Sequence, residues 1–272
     1  MADLDRYAVL GQPVGHSKSP RIHAAFAAAT QQTLRYEAIE VAPDAFAERL
    51  SAFHAEGWAG FNLTVPHKQA GAALCESRSE AAEQAGAVNT LIRTATGWHG
   101  DNTDGAGLLR DLLVNLGVTI KGKRVLVLGA GGAARGILAP LLAEGPAELA
   151  ISNRNPWKPE EIAAALKPLG NIVPRTHLSL KGDRYDLILN ATSAGHSGAI
   201  PRLPPKLFAD GGVAYDLNYG QAAVPFLVWA KGEGAAQVSD GLGMLVEQAA
   251  EAFQRWRGVR PETAAVLAGL RG

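Results

Sequence analysis

Short apolar runs alternate with amphipathic stretches along most of the chain. Residues 7–11, 35–41 and 60–65 have the length and composition of strands, and residues 45–57 form an amphipathic helical pattern that ends at a glycine. This alternation is typical of a mainly parallel sheet that is covered by helices. The first hundred residues therefore predict an open α/β domain.

A second pattern begins at residue 121, where a near-continuous apolar run turns through glycines into a helical stretch. Strands that are buried on both faces of a parallel sheet have this composition. Further strand patterns follow at residues 148–154, 185–192 and 212–219. The expected fold class is α/β, with an N-terminal open, mainly parallel substrate domain and a Rossmann-like nucleotide domain. We expect residues 1–104 and 105–239 to form these two domains, with the helices of residues 240–272 completing the first.

Composition narrows the class of protein. The 272 residues include 26 basic and 26 acidic side chains, so no long-range field favours nucleic acid or an anionic membrane. Cys75 is the single cysteine, which excludes an intramolecular disulfide and a cysteine-rich metal site. No signal-peptide pattern and no run of 18 apolar residues occurs. We expect a soluble cytoplasmic protein.

The glycine-rich turn of the second unit has a specific chemical interpretation. Gly129, Gly131 and Ala134 fit the pattern G-x-G-x-x-G/A between a strand and a helix. The first glycine permits the tight turn, and the second lets the backbone approach a pyrophosphate at the helix N-terminus. The turn therefore predicts a dinucleotide site that includes Gly129, Ala130, Gly131, Gly132 and Ala133.

The end of the next strand indicates which dinucleotide is bound. Enzymes that use NAD usually place a carboxylate there, whereas this chain has Asn153, Arg154 and Asn155, with Lys158 close behind. A guanidinium can form paired, charge-assisted hydrogen bonds with a 2′-phosphate. These residues predict NADP(H), although Arg154 and Lys158 could also be solvated surface charges.

Polar residues cluster near the ends of predicted strands in the first unit. Considered alone, Ser17 and Ser19 could cap a helix, Lys68 could be a solvated charge, and Asn89 and Asp104 could form turns. Hydroxyl groups beside a helix N-terminus could equally hold a carboxylate, so both interpretations stay open.

Nine segments together resemble the motifs of the shikimate dehydrogenase family, in the same order, from about residue 9 to residue 250. They are GQPVGHSKSP, FNLTVPHK, GAVNTL, DNTDGAG, GAGGAAR, SNRN, NATSAG, YDLNY and DGLGMLVEQAA. The resemblance implies the reversible, NADPH-dependent reduction of 3-dehydroshikimate to shikimate in the shikimate pathway, which supplies chorismate and the aromatic amino acids.

The resemblance also implies roles for individual residues. Lys68 and Asp104 would form the catalytic pair, with Lys68 either transferring the proton or stabilising negative charge. The substrate would be bound by Ser17, Ser19, Thr64, Lys68, Asn89, Asp104, Tyr219 and Gln248. The nicotinamide side of the cofactor site would include Thr192, Ser193, Leu217, Gly241 and Met244.

Two departures and two alternative functions accompany this interpretation. The family commonly has threonine in place of Asn155 and methionine in place of Leu217. A quinate/shikimate dehydrogenase that uses NAD or NADP is the first alternative, and a catalytically idle NADP-binding sensor is the second.

His16 and His67 do not belong to a recognisable metal-ligand spacing, so no metal is expected. We expect a monomer or a homodimer without nucleic-acid or membrane partners.

Overall fold

The computed structural model describes residues 4–271, which form two compact units. One unit contains the chain up to Gly107 together with the segment from Leu245 onward, and the other runs from Leu108 to Met244. Each unit is built around a six-stranded sheet. The α/β fold class is confirmed.

The sheet of the first unit is mixed. Its strands, in chain order, are β1 (Asp5–Gly11), β2 (Leu34–Glu40), β3 (Gly60–Leu63), β4 (Ser77–Arg78), β5 (Thr90–Arg93) and β6 (Trp98–Asp101). They lie in the order β2-β1-β3-β5-β6-β4. The pairs β1/β2, β1/β3 and β4/β6 are parallel, whereas β5 is antiparallel to both β3 and β6. Parallel pairing brings the carboxyl ends of β1 and β3 to one edge.

The sheet of the second unit is entirely parallel. Its strands are β7 (Arg124–Leu128), β8 (Glu148–Ser152), β9 (Ile172–Arg175), β10 (Tyr185–Asn190), β11 (Phe208–Asp216) and β12 (Gln237–Ser239). They lie in the order β12-β11-β10-β7-β8-β9. Two apolar clusters include alternate residues of β7, with Val125 and Val127 in one and Leu126 and Leu128 in the other. Burial on both faces explains why this strand is an almost continuous apolar run.

Ten α-helices occur within the described residues. They are α1 (Ser19–Ala29), α2 (Phe46–Ala55), α3 (Lys68–Leu74), α4 (Glu80–Ala85), α5 (Asp104–Arg110), α6 (Gly132–Ala143), α7 (Trp157–Ala165), α8 (Val224–Gly232), α9 (Leu242–Arg257) and α10 (Ala264–Arg271). A π-helical segment, Asp111–Asn115, continues α5. Short 3-10 helices occupy Pro43–Ala45, Leu178–Leu180, Ala194–Ser197 and Gly220–Ala222.

Helix α9 packs on α1 within the first unit. Ile22 and Phe26 of α1 form a buried cluster with Val246, Ala249 and Phe253 of α9. Spacings of three and four residues place these side chains on one face of each helix. Burial of this shared apolar face holds the C-terminal segment against the N-terminal domain.

Most of the predicted strands are confirmed, and so is a short strand predicted after a helix within residues 79–93, which is β5. The patterns at 7–11, 35–41 and 60–65 correspond to β1, β2 and β3. Strand β6 was not predicted because its sequence, WHGD, has one large apolar residue in four positions. Tertiary packing buries Trp98, Gly100 and Asp101 regardless of that weak pattern.

His23 of α1 is an unusual core residue. It is fully buried, and neither ring nitrogen makes a hydrogen bond of normal geometry among residues 4–271, although the Asn62 side chain lies near enough to interact with the ring. Its imidazole stacks on Tyr36, with 4.1 Å between the ring centroids and 8° between the planes. Burial lowers the pKa of His23 to about 3, so the folded protein keeps this imidazole neutral.

Replacement of His23 by phenylalanine should make the free energy of unfolding less dependent on pH below 6.5. The pKa of His23 in the folded state lies below the ordinary value of 6.5. The contribution of the neutral His23 to the free energy of unfolding is therefore fully present above pH 6.5 and is lost as the pH falls toward 3. The loss approaches about 1.4 kcal/mol per pH unit in that range. Denaturant titrations between pH 7.5 and 4.5 should show a smaller decrease for His23→Phe than for the wild type. Parallel curves would contradict a buried neutral imidazole.

Candidate active site

An ion pair joins the starts of two helices in the first unit. Lys68 is the first residue of α3 and Asp104 is the first residue of α5. Lys68 Nζ lies 2.5 Å from Asp104 Oδ2, and the side chains are 14% and 6% exposed, respectively. Further hydrogen bonds stabilise a pair this poorly solvated. The surroundings supply one to the second oxygen of Asp104.

His67 fixes the position of Lys68. Its ring is buried, stacks on Phe46 at a centroid distance of 4.2 Å, and its Nε2 lies 2.8 Å from the carbonyl oxygen of Val41. These contacts hold the first turn of α3 against the rest of the unit. His67 therefore has a packing role.

Asn89 holds the other oxygen of Asp104. Asn89 Nδ2 donates to Asp104 Oδ1 at 2.9 Å, and Asn89 Oδ1 accepts from the backbone N–H of Thr103 at 2.9 Å. A backbone N–H can only donate, so the direction of the Asn89 amide is fixed. Each carboxylate oxygen of Asp104 consequently has a donor, one from Asn89 and one from Lys68.

Gln248 joins this network from helix α9. Its Oε1 accepts from Asn89 Nδ2 at 3.2 Å and from Thr103 Oγ1 at 3.3 Å, and its Nε2 donates to the carbonyl of Leu245 at 3.0 Å. Helix α9 approaches closely because residue 107 is glycine: a Cβ atom there would lie 2.6 Å from Gln248 N and Cβ. One largely buried polar cluster thus contains Lys68, Asn89, Thr103, Asp104 and Gln248.

The other predicted substrate residues of this unit lie at neighbouring strand ends. Ser17 Oγ accepts from the backbone N–H of Ser19 at 3.2 Å, in the segment that leads from β1 into α1. Thr64 follows β3, and its backbone N–H donates to the carbonyl of Leu10 at 2.9 Å. Strands β1 and β3 are adjacent and parallel, so these hydroxyl groups belong to the same sheet edge. Tyr219, the remaining predicted substrate residue, follows β11 in the second unit.

The glycine turn of the second unit combines two different constraints. Gly129 has φ +110°, and a Cβ atom there would lie 2.8 Å from the carbonyl oxygen of Ala191. Gly131 has φ −89°, and a Cβ atom there would meet no atom within 4 Å. Of these two turn glycines, the fold itself therefore requires only Gly129. The open space at Gly131 lies directly before the N-terminus of α6, where Gly132 and Ala133 begin the first turn.

The residues after β8 form an exposed polar loop. Asn153 Oδ1 accepts from the backbone N–H of Asn155 at 2.9 Å, and Asn155 Oδ1 accepts from that of Trp157 at 3.1 Å. These bonds shape the loop and leave the side chains of Arg154 and Lys158 exposed. The charge available to a ligand here is positive.

Asp216 organises the ends of β10 and β11. Its carboxylate accepts from Asn190 Nδ2 at 2.9 Å and from both the backbone N–H and Nδ2 of Asn218 at 2.8 Å. Asn190 Oδ1 accepts from Thr192 Oγ1 at 2.8 Å, and Asn218 Nδ2 also donates to the Thr192 carbonyl at 2.9 Å. Burial raises the pKa of Asp216 to about 6, against the effect of these hydrogen bonds. The network fixes Thr192 and the chain on either side of Leu217.

The remaining predicted cofactor residues lie near this network in the chain. A Cβ atom on Gly241 would lie 2.3 Å from the carbonyl oxygen of Leu217, so glycine allows close backbone approach there. The backbone N–H of Met244 lies 3.3 Å from the hydroxyl oxygen of Tyr215. Ser193 is exposed directly before a 3-10 helix, and Ala130 is buried in the glycine turn.

The described residues offer neither a metal-ligand cluster nor a membrane-spanning helix. Residues 4–271 contain no group of three or more His, Cys, Asp or Glu side chains that could hold a metal ion. Within the same residues, no helix combines the length and apolar character needed to cross a bilayer.

Three domain families match the sequence. The shikimate dehydrogenase substrate binding domain matches residues 9–91, shikimate / quinate 5-dehydrogenase matches residues 112–198, and the shikimate 5′-dehydrogenase C-terminal domain matches residues 241–271. The NADP(+) shikimate dehydrogenase of Dechloromonas aromatica is 53% identical over 271 residues, which cover 100% of this chain and 98% of the relative. This chain belongs to the shikimate dehydrogenase family. The predicted resemblance is confirmed.

Solved structures of related proteins share the whole fold. An Ael1 enzyme from Pseudomonas putida is similar with a TM-score of 0.91 and 45% identity, covering 98% of each chain. Shikimate 5-dehydrogenase from Thermus thermophilus, solved in complex with NADP(H) and shikimate, is similar with a TM-score of 0.85 and 35% identity. That similarity covers 98% of this chain and 99% of the Thermus chain.

Some polar residues of both networks were missed by the sequence analysis. Thr103 lies in the DNTD segment and Asn190 begins the NATSAG segment, so the motifs contain both residues. Asp216 stands inside the apolar pattern of β11, where a carboxylate is an unexpected residue. A polar side chain within a buried strand pattern is the signal that could have identified it.

Substitution of the two turn glycines should separate their roles. We expect Gly129→Ala to lower the free energy of unfolding by about 2 kcal/mol, because alanine at positive φ is strained and its methyl group would contact Ala191. The matched control Gly131→Ala should change stability by less than about 0.5 kcal/mol. Denaturant unfolding of both variants measures the difference. Equal losses would show that the fold requires both glycines.

Proposed function

We propose that the chain catalyses the reversible reduction of 3-dehydroshikimate to shikimate with NADPH. The observation that carries this proposal is the buried Lys68–Asp104 pair, which Asn89 and Gln248 hold in a defined geometry. An ammonium group next to a fixed carboxylate suits proton exchange with a hydroxyl or ketone oxygen.

The residues of the second unit fit a bound NADP(H). Gly129 to Ala133 would receive the pyrophosphate, since the N-terminus of α6 offers backbone N–H groups and the open space at Gly131 admits a ligand. Arg154 and Lys158 would bind the 2′-phosphate, with Asn153 and Asn155 beside them. The nicotinamide side would be lined by Thr192, Ser193, Leu217, Gly241 and Met244. When bound, this cofactor supplies or removes the hydride.

Lys68 acts at the oxygen of the reacting carbon. Conversion of the ketone to the alcohol places negative charge on that oxygen, and Lys68 Nζ donates the proton that neutralises it. In the reverse direction Lys68 receives the proton of the alcohol. Asp104 orients the ammonium group through the 2.5 Å contact and accepts a hydrogen bond from the substrate.

The remaining polar residues orient the substrate. Ser17 and Ser19 would donate hydrogen bonds to its carboxylate. The carboxylate or the ring hydroxyl groups would also contact Thr64, Asn89, Asp104, Tyr219 and Gln248. Such positioning lowers the entropic part of the barrier by aligning the reacting carbon.

We propose further that the enzyme acts in the cytoplasm as a monomer or a homodimer, without nucleic-acid or membrane partners. Equal numbers of acidic and basic residues, 26 of each, support the absence of a polyanionic partner.

Initial rates with shikimate and quinate, each with NADP⁺ and NAD⁺, test this function. We expect the highest kcat/KM with shikimate and NADP⁺. Comparable efficiency with quinate would instead indicate the quinate/shikimate paralogue. The absence of turnover with every combination would favour the NADP-binding sensor.

Arg154→Ala should weaken use of NADPH selectively. Loss of one charge-assisted contact to the 2′-phosphate should raise the KM for NADPH by about tenfold and leave the KM for NADH nearly unchanged. Arg202→Ala, which removes another exposed arginine of the same unit, is the matched control. Equal increases for the two cofactors would exclude Arg154 from the phosphate site.

Lys68→Ala should decrease kcat by about 100-fold or more with a smaller change in KM, because proton transfer is lost while the other substrate-binding residues remain. Lys123→Ala is the control, since it removes a lysine that pairs with Asp186 at 3.1 Å on the surface of the other unit. Single-turnover kinetics measure the chemical step. A near-normal kcat for Lys68→Ala would remove this residue from the chemistry.

A further inference from the structure

A tyrosine that no motif includes lies at the far end of the active-site network. The hydroxyl of Tyr36, on strand β2, donates to Asn62 Oδ1 at 2.7 Å. Asn62 is 6% exposed and lies on β3. The Ser19 side chain lies close enough to the Tyr36 hydroxyl to interact with it. Tyr36 therefore binds a buried amide and lies near the predicted carboxylate-binding serine.

The amide of Asn62 continues toward the catalytic pair. Its Nδ2 donates to the backbone carbonyl of Asn89 and to Thr90 Oγ1, both at 3.2 Å. Thr90 Oγ1 in turn donates to Asn89 Oδ1 at 2.9 Å, and Asn89 Nδ2 reaches Asp104 Oδ1 at 2.9 Å. A continuous chain of hydrogen bonds thus connects Tyr36 to Asp104 within the first unit.

The direction of the first bond in this chain is determined. The carbonyl of Asn89 can only accept, so Asn62 must present Nδ2 to it and Oδ1 to Tyr36. The tyrosine must therefore donate. Without that donor, the Asn62 oxygen would lose its 2.7 Å hydrogen bond, and the two bonds of Nδ2 would hold the amide less firmly against Asn89.

The position of the Tyr36 ring is also constrained. His23 stacks on it at 4.1 Å, and Trp256 lies against it with 6.2 Å between the ring centroids. A ring held between aromatic neighbours presents its hydroxyl in one place. This arrangement pre-organises Asn62 before any substrate arrives.

We propose that Tyr36 is a positioning residue for substrate binding, which acts through Asn62 and Ser19 and does not touch the reacting atoms. The inference rests on the proposed function, because it assigns Ser19, Asn89 and Asp104 to the substrate. It adds a specificity determinant on β2, a strand on which no site residue was predicted.

Tyr36→Phe tests this inference because it keeps the stacked ring and removes only the hydroxyl. We expect the KM for shikimate to rise by about tenfold, in line with one lost buried hydrogen bond. The KM for NADP⁺ should stay within about twofold. Because the Lys68–Asp104 contact remains, kcat should stay within about threefold.

Tyr7→Phe is a closely matched control. Tyr7 is the direct neighbour of Tyr36 in the β1/β2 register, and its ring packs on Trp256 at 4.7 Å. Its hydroxyl lies 3.5 Å from Arg257 Nη1, so it is engaged with a different group. This variant should leave the KM for shikimate unchanged. If the loss of any tyrosine hydroxyl on this sheet raised the KM for shikimate through a general structural effect, Tyr7→Phe and Tyr36→Phe would both show the increase.

A double variant, Tyr36→Phe/Asn62→Leu, separates stability from positioning. Removal of both partners takes away the Asn62 oxygen that Tyr36→Phe leaves without its hydroxyl donor, and the Asn89 carbonyl keeps the backbone N–H of Leu63 at 2.8 Å. Thermal stability should therefore recover toward that of the wild type. The KM for shikimate should nevertheless stay raised, because the side-chain hydrogen bonds from Asn62 to the Asn89 carbonyl and to Thr90 are missing. This variant also provides the measurement if Tyr36→Phe alone is poorly folded.

The outcomes distinguish the two proposals. If the wild type does not oxidise shikimate, the proposed function fails. If the wild type does and Tyr36→Phe keeps a normal KM for shikimate, or the KM for NADP⁺ rises in parallel, the positioning role of Tyr36 is overturned. A selective increase that recurs in the double variant and is absent from Tyr7→Phe supports it.

Discussion

The side-chain amide of Asn89 is the contact on which the geometry of the candidate active site depends. Because Asn89 Oδ1 receives the backbone N–H of Thr103, its Nδ2 must face Asp104 and Gln248. Asp104 then has one oxygen satisfied by an amide and the other left for Lys68. A backbone group thus determines where the carboxylate points, and the carboxylate determines where the ammonium group lies. The antiparallel strands β3, β5 and β6 bring these residues together.

The second unit also contains a buried carboxylate whose oxygens accept hydrogen bonds from asparagine side chains. Asp216, which is fully buried, accepts three hydrogen bonds from Asn190 and Asn218, and these asparagines also bind Thr192. In both units an acceptor-only carboxylate collects donors from neighbouring chain segments and joins strand ends that would otherwise be independent loops. The burial that makes this possible also raises the pKa of Asp216 to about 6.

Sequence patterns predicted the elements that obey a short repeat, and they could not predict contacts between distant segments. The apolar run of β7 and the glycine turn after it are local features, so both could be read directly. Asn89 and Gln248 are separated by 159 positions, and no periodicity connects them. Only the family resemblance suggested that Gln248 belongs near the substrate. The requirement for glycine at position 107 is likewise invisible until helix α9 lies against it.

The hydrogen-bond donors of the first unit differ in how far their direction is determined. From Tyr36 to Asp104, backbone groups set the directions of the Asn62 and Asn89 amides, so these amides have one orientation only. Lys68 differs, because its ammonium group carries three N–H donors and, among residues 4–271, Asp104 alone accepts from it. Two donors therefore remain for a ligand. These two donors fit the proton-exchange role that we propose for Lys68, while Asn62 and Asn89 would contribute by holding a single orientation.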